Sequence, residues 1–166
     1  MKKVFAIGID PGKTGAMSIF EKIDGEFYLS SIWDFEPKDF IPQVLKDCLN
    51  DGSIQSACIE LVHSAPGQGV ASVFSFGMNF GWWLGLLDAH SISYGLVSPQ
   101  RWQGLLLKDF RTYTGKLSVT TKEASLAVAK GLFNRDKDTA GWFERKKDHG
   151  RSDAALIGWY GILRQH

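Results

Sequence analysis

The stretch Ile7-Gly8-Ile9-Asp10-Pro11-Gly12-Lys13-Thr14-Gly15-Ala16 constrains the fold more than any other in the chain. The apolar, partly β-branched run from Val4 to Ile9 reads as a buried strand, and it ends on a carboxylate followed at once by Pro11 and Gly12. Asp10 therefore sits where a central strand gives way to a turn. The end of a buried strand is rigid, so a carboxylate there can be held for a metal ion or a phosphate, and the following glycines let backbone or substrate come close. Asp-Pro-Gly is also an ordinary turn sequence, in which Asp10 does no more than start the turn.

Three chemistries compete for this stretch. A Walker A loop needs Gly-x-x-x-x-Gly-Lys-Ser/Thr; Gly12-Lys13-Thr14 supplies its end, but position 7 is Ile where the first glycine belongs. Such a loop also leads into a helix, whereas Met17 to Phe20 leads to a turn at Asp24-Gly25 and a second alternating run from Phe27 to Trp33, which is a β-meander. The phosphate loop of actin-like and sugar-kinase folds, Asp-x-Gly-x-Thr-Gly, belongs to architectures with two such domains, and 166 residues supply one. A metal-dependent nuclease of the ribonuclease H type, in which a strand-borne Asp is the first metal ligand, is the reading that length leaves standing.

At this length the chain is expected to be one domain, 1–166, with a substantial core. Its net charge of +1 hides an asymmetry. Residues 1–97 carry 6 Lys/Arg against 11 Asp/Glu, a balance of −5, and residues 98–166 carry 13 against 7, a balance of +6. A basic half can face a polyanion while an acidic half holds ligands for cations; a lopsided solvated surface gives the same numbers. Cys48 and Cys58 have no metal-ligand spacing and read as buried small hydrophobes in a reducing compartment. Nothing at the N-terminus resembles a signal peptide, and the longest apolar stretch, Ala71 to Leu87, is interrupted by Asn79 and glycines and falls short of a membrane span. A soluble, cytoplasmic protein with no membrane partner is expected.

Further along, Phe40, Ile41, Val44, Leu45, Cys48 and Leu49 stand at helical spacing and stop at Asn50-Asp51-Gly52. Ser56 to Glu60 is a short strand that repeats the arrangement of Asp10: apolar, and ending on a carboxylate. Two acids at the ends of strands joined by a crossover helix can lie side by side at one edge of a parallel pair; a buried ion pair would also explain Glu60. Residues 61–70 form a Gly- and Pro-rich loop holding His63 and Gln68. The helix after it places Gly77, Gly81 and Gly85 on one face and is apolar nearly all round, so it is expected to be buried, by core packing or between two subunits. Ser91 to Val97 is a further strand, and Ser98-Pro99 opens a short helix. Residues 108–121 read as a polar, basic loop with Lys108, Arg111, Tyr113 and Lys116. Thr120 and Glu123 form a capping box before a helix that carries Lys122. Residues 134–151 read as loop, with Arg145-Lys146-Lys147 interleaved by Trp142 and Phe143, a combination suited to nucleic acid by charge and stacking and equally to a solvated surface.

The last segment, Asp148-His149-Gly150-Arg151-Ser152-Asp153, runs into an apolar helix. Asp153 falls in its first turn, where an acid complements the helix dipole. His149 lies four residues earlier and reaches the same site if the turn is compact, with Asp148 as the competing ligand. Together with Asp10 and Glu60 this makes four oxygen or nitrogen ligands drawn from three places.

This order of motifs resembles the RuvC family of Holliday-junction resolvases, within the ribonuclease H-like nuclease superfamily, in its small phage-type form. The resemblance covers most of the chain: Ile-Gly-Ile-Asp-Pro-Gly, the strand ending Ile59-Glu60, the glycine-spaced helix, Val97-Ser98-Pro99, and the acid-bearing final helix. An Asp-Gly-Arg-x-Asp-Ala pattern of phage-type relatives stands here as His149-Gly150-Arg151-Ser152-Asp153-Ala154. The fold so implied is α/β, a ribonuclease H-like mixed five-stranded sheet, three strands of meander plus parallel strands, flanked by helices. The resemblance implies that Asp10, Glu60 and Asp153 are metal-binding carboxylates, that Lys122 or Lys116 is a lysine near the scissile phosphate, and that His149 or Asp148 is the remaining ligand. Bacterial members place an aromatic wedge shortly after the Glu, where this chain has His63.

Phosphodiester hydrolysis needs an activated water and charge neutralisation, which two Mg²⁺ ions roughly 3.5–4 Å apart supply, with Mn²⁺ as a substitute, and hard cations favour carboxylates. Asp10 is expected to bridge both ions. Paired nicks in a four-way DNA junction call for a twofold homodimer. The expected activity is therefore a crossover junction endodeoxyribonuclease working in the cytoplasm, its host's if phage-encoded; the other readings are a sister nuclease acting on flaps or RNA–DNA hybrid, and a catalytically idle nucleic-acid-binding module.

Overall fold

A computed structural model describes residues 2–61, 67, 69–113, 119–133, 139, 141–145 and 147–164, with backbone alone for 111–113. The strands are β1 (Lys3–Asp10), β2 (Ala16–Ile23), β3 (Glu26–Asp34), β4 (Gly52–Glu60) and β5 (Tyr94–Val97). The helices are α1 (Ile41–Asp51), α2 (Val70–Ala89), α3 (Pro99–Leu106), α4 (Lys108–Tyr113), α5 (Thr121–Phe133) and α6 (His149–Leu163). The sheet runs in the order β3-β2-β1-β4-β5. β1, β2 and β3 are antiparallel, whereas β4 pairs parallel to β1 and β5 parallel to β4. This is the mixed five-stranded sheet that the meander and the crossover predict.

Period-two alternation divides the central strands between two cores. Phe5, Ile7 and Ile9 of β1 and Ala57 and Ile59 of β4 face α1 and α2, against Leu45, Trp83 and Leu87. Ala6 and Cys58 face the opposite way, toward Trp102, Ala155 and Ile157 of α3 and α6. Both cysteines are buried and free. Asp10 and Glu60 continue the even-numbered alternation, so both carboxylates emerge on the α6 side of the sheet.

Helix α6 lies on that face with almost nothing between. A Cβ on Gly8 would stand 2.2 Å from the Ala154 carbonyl oxygen and 2.3 Å from the Gly158 nitrogen, so backbone rests on backbone. Ser18 secures the crossing by donating its hydroxyl to the Ala154 carbonyl at 2.8 Å. At the head of the helix, Arg151 grips the end of β3 with two hydrogen bonds of 2.6 Å to the two oxygens of Asp34.

Three elements differ from expectation. Residues 108–113 are a helix, α4, where the polar sequence reads as loop. Helix α6 begins at His149, so Asp153 occupies its second turn and is no cap for the helix dipole. Helix α2 is not buried within the chain: only Trp83 and Leu87 are, and Val70, Phe74 and Met78 are 87%, 68% and 59% exposed. Being apolar all round removes the usual contrast of faces, and half of this helix finds no cover in one copy. At 20 residues it is also long and apolar enough to cross a membrane by length and composition, contrary to the shorter stretch read from Ala71 to Leu87.

Candidate active site

Asp10 is the last residue of β1, one past Ile9, which pairs with Ile59; Glu60 is one past Ile59 on β4. The two carboxylates are thus neighbours at the C-terminal edge of a parallel pair. Asp153 comes to them from α6, since Ala154, the next residue, rests on Gly8, two residues before Asp10. The three acids feel one another's charge: Glu60 raises the pKa of Asp10, and Asp10 and Glu60 both raise that of Asp153. Burial is the larger cause, and with it both aspartates are pushed up from 3.8 to about 7. Glu60 is raised too, mainly by burial. Three acids crowded where water is scarce resist ionisation together.

Asp10 and Glu60 are each held by a different partner. Asp10 Oδ1 accepts the backbone N–H of Gly12 at 2.9 Å, which is the Asx turn of Asp-Pro-Gly. Glu60 Oε1 accepts the indole N–H of the buried Trp102 at 2.8 Å, and among the described residues it has no cationic partner. The Ser125 hydroxyl of α5 stands beside Asp153 and lowers its pKa, yet Ser125 Oγ and Asp153 Oδ1 are both buried without a hydrogen bond. Lys122, one turn before Ser125, lowers the pKa of Asp10, Asp153 and His149 alike, so its ammonium bears on the whole site. Its helix begins with the expected capping box, the Thr120 backbone N–H donating to Glu123 Oε2 at 3.0 Å and the Glu123 backbone N–H to Thr120 Oγ1 at 3.3 Å.

His149 stands four residues before Asp153, on the same face of α6; burial and Lys122 lower its pKa and favour the neutral ring. Asp148 is engaged elsewhere. Its carboxylate accepts the Arg145 backbone N–H at 2.8 Å and the Arg145 Nε at 3.0 Å, and although burial opposes it, these bonds hold its pKa below the ordinary value. Lys116 and His63 lie outside the described residues. Trp102 and Ser125 are the site residues that sequence reasoning misses; no local signal marks either one.

Among the described residues no three Asp, Glu, His or Cys side chains converge into a finished metal cluster. The donor set nevertheless suits a hard cation: three carboxylates from three rigid elements and a buried carboxylate oxygen left without a hydrogen bond. A bound divalent charge would relieve the mutual repulsion that now holds the acids back from ionising.

The chain's fold is that of RuvC from Thermus thermophilus, with a TM-score of 0.57 over 98% of this chain and 94% of that one at 14% identity. It is shared with the yeast mitochondrial Holliday junction resolvase Ydc2, with a TM-score of 0.53 over 99% and 81% at 14% identity, and with the fowlpox virus Holliday junction resolvase, with a TM-score of 0.52 over 99% and 99% at 13% identity. The fold class is the RuvC-like one. At the level of sequence the chain is 31% identical, over 104 residues and 63% of its length, to the chloroplastic Holliday junction resolvase MOC1 of Chlamydomonas reinhardtii. The chain spans only about a tenth of that relative's length. No protein-family model matches it.

Proposed function

We propose that this chain is a metal-dependent endonuclease that resolves four-way DNA junctions by paired symmetric nicks. The observation that carries the reading is the meeting of Asp10, Glu60 and Asp153, from β1, β4 and α6, on a RuvC-like fold. In it, Asp10, Glu60 and Asp153 hold divalent cations, Mg²⁺ or in its place Mn²⁺, with His149 rather than Asp148 as a further ligand or a proton relay, since Asp148 is committed to Arg145. Such cations supply neutralisation of phosphate charge and an acidified water. The chain's own residues do the rest. Trp102 fixes the Glu60 carboxylate, Gly12 fixes that of Asp10, and Lys122 presents a positive charge to the phosphate as negative charge develops on it. Lys116 is a second lysine for that role.

Paired nicking needs two such sites related by a twofold axis. Helix α2 supplies a surface suited to that axis: Val70, Phe74 and Met78 are exposed, and beside them Gly77, Gly81 and Gly85 have open space where a Cβ would stand. A second copy can approach this face closely and bury its aromatic residues, so a homodimer of single-domain subunits working in the cytoplasm is the assembly proposed.

The test is cleavage of a labelled four-way junction beside a linear duplex, a flap and an RNA–DNA hybrid, with Mg²⁺ and with chelator, by wild type and Asp10→Asn. Symmetric metal-dependent nicks in the junction alone, lost in the variant, are expected. Cutting of flap or hybrid instead moves the activity to a sister nuclease, and cutting of none removes the nuclease reading.

A further inference from the structure

On the flank of the sheet away from α2, an open groove of ≈ 520 Å³ is lined by Arg101, Tyr160 and Arg164. It adjoins a smaller depression of ≈ 230 Å³ floored by Cys58, Gly95, Val97 and Gly161, at the edge strand β5. Arg101 lies in the first turn of α3, where the helix dipole opposes a cation. Arg164 follows the end of α6, with its guanidinium over the Tyr160 ring at 5.5 Å from the centroid. A cation over the ring face is attracted by the ring quadrupole while its N–H groups can still donate to an anion. Both arginines are exposed. Among the described residues neither has a carboxylate within ion-pair distance, and no acid lines the groove. Arg145 and Arg151 show the contrast, since each is neutralised by an aspartate.

The groove lies on elements that also build the candidate active site. Trp102, next to Arg101, holds Glu60, and Val97 of the floor is the register partner of Glu60. Along α6, Tyr160 and Arg164 stand seven and eleven residues after Asp153, which returns them to its face of the helix. At the helical rise they lie about 10 and 16 Å beyond it.

We propose that the Arg101–Tyr160–Arg164 groove is a second binding track for the phosphodiester backbone of nucleic acid, which holds a strand as it leaves the carboxylates. Two guanidiniums that have no carboxylate partner among the described residues, in an open groove in line with the site, suit a repeating chain of phosphates better than an isolated anion. At roughly 3.4 Å per nucleotide, the track meets phosphates about three to five nucleotides from the cut. The inference rests on the nuclease reading for its ligand.

The test uses the full chain and a fluorescent four-way DNA junction in chelator, with the dissociation constant followed across salt concentration. Arg101→Ala and Arg164→Ala are each expected to weaken binding by about three- to tenfold at 150 mM salt and to reduce the salt slope by about one. Replacing the phosphates three to five nucleotides from the cut with uncharged methylphosphonates is expected to cost the wild type a similar factor and the double variant nothing further. Arg101 is exposed, so its variant carries the test should Arg164→Ala perturb α6. An unchanged salt slope in Arg101→Ala overturns the track, whether or not the wild type cuts the junction. Binding that depends on both arginines in a protein that cuts nothing keeps the track and removes the nuclease; a wild type that binds no DNA removes both.

Discussion

Asp10 and Asp153 impose a cost that the folded chain feels only when they ionise. Each titrates at about 7 when folded, against 3.8 ordinarily. The folded state therefore holds protons that the unfolded chain has released between about pH 4 and 7, and stability falls as pH rises through that window. A tenfold difference in proton affinity between the two states corresponds to roughly 1.4 kcal/mol, so with partial exposure the penalty above pH 7 is on the order of a few kcal/mol. Asp10→Asn is expected to melt higher than wild type at pH 8 in chelator, with the difference vanishing near pH 4. Mg²⁺ should raise the wild-type melting temperature at pH 8 and leave the variant nearly unmoved. The neighbouring Glu60 gives two separable outcomes. Glu60→Gln is expected to abolish cutting while junction binding persists, whereas Trp102→Phe, which removes the indole N–H together with part of the buried ring, should raise the Mg²⁺ concentration for half-maximal cutting about tenfold. Normal cutting by Glu60→Gln would take that residue out of the site.

At the scale of elements, the placing of Asp153 rests on the Gly8 crossing. Gly8→Ala puts a methyl into the backbone of α6 and is expected to cost on the order of 3 kcal/mol or more and to separate Asp153 from Asp10. Thermal melting and the loss of Mg²⁺-dependent stabilisation report the two effects. Thr120→Ala, which opens the capping box at the head of α5, should cost about 1 kcal/mol. These elements also mark where sequence reasoning succeeds and where it stops. Asp10 and Glu60 are legible because each ends an apolar run, and period two then puts both on one face. The start of α6 is not legible, because Gly150 and Ser152 are poor helix formers that stay helical here through tertiary contact: Gly150 lies against the Thr14 carbonyl and Ser152 is fully buried. Nor is the Trp102–Glu60 bond, which joins residues 42 apart through a register that only the assembled sheet creates.

For the whole molecule, the feature left unbalanced is α2. A chain that leaves Phe74 and Met78 in water gains by pairing, and Phe74→Glu is expected to shift sedimentation at micromolar concentration from dimer to monomer and to abolish paired nicking. A wild type that sediments as a monomer would count against the symmetric reading. The expectation that α2 is buried follows from its all-round apolar composition, yet within this chain only Trp83 and Leu87 are buried, because composition cannot say where a covering surface lies. The Gly8–Gly158 contact has a further consequence, in time. Since no side chain lies between α6 and β1 at that point, no change of rotamer can bring Asp153 gradually into or out of place; the helix is either seated or lifted whole. Amide exchange along α6 should accordingly slow or quicken as one unit, and its protection would measure how often the three carboxylates are apart.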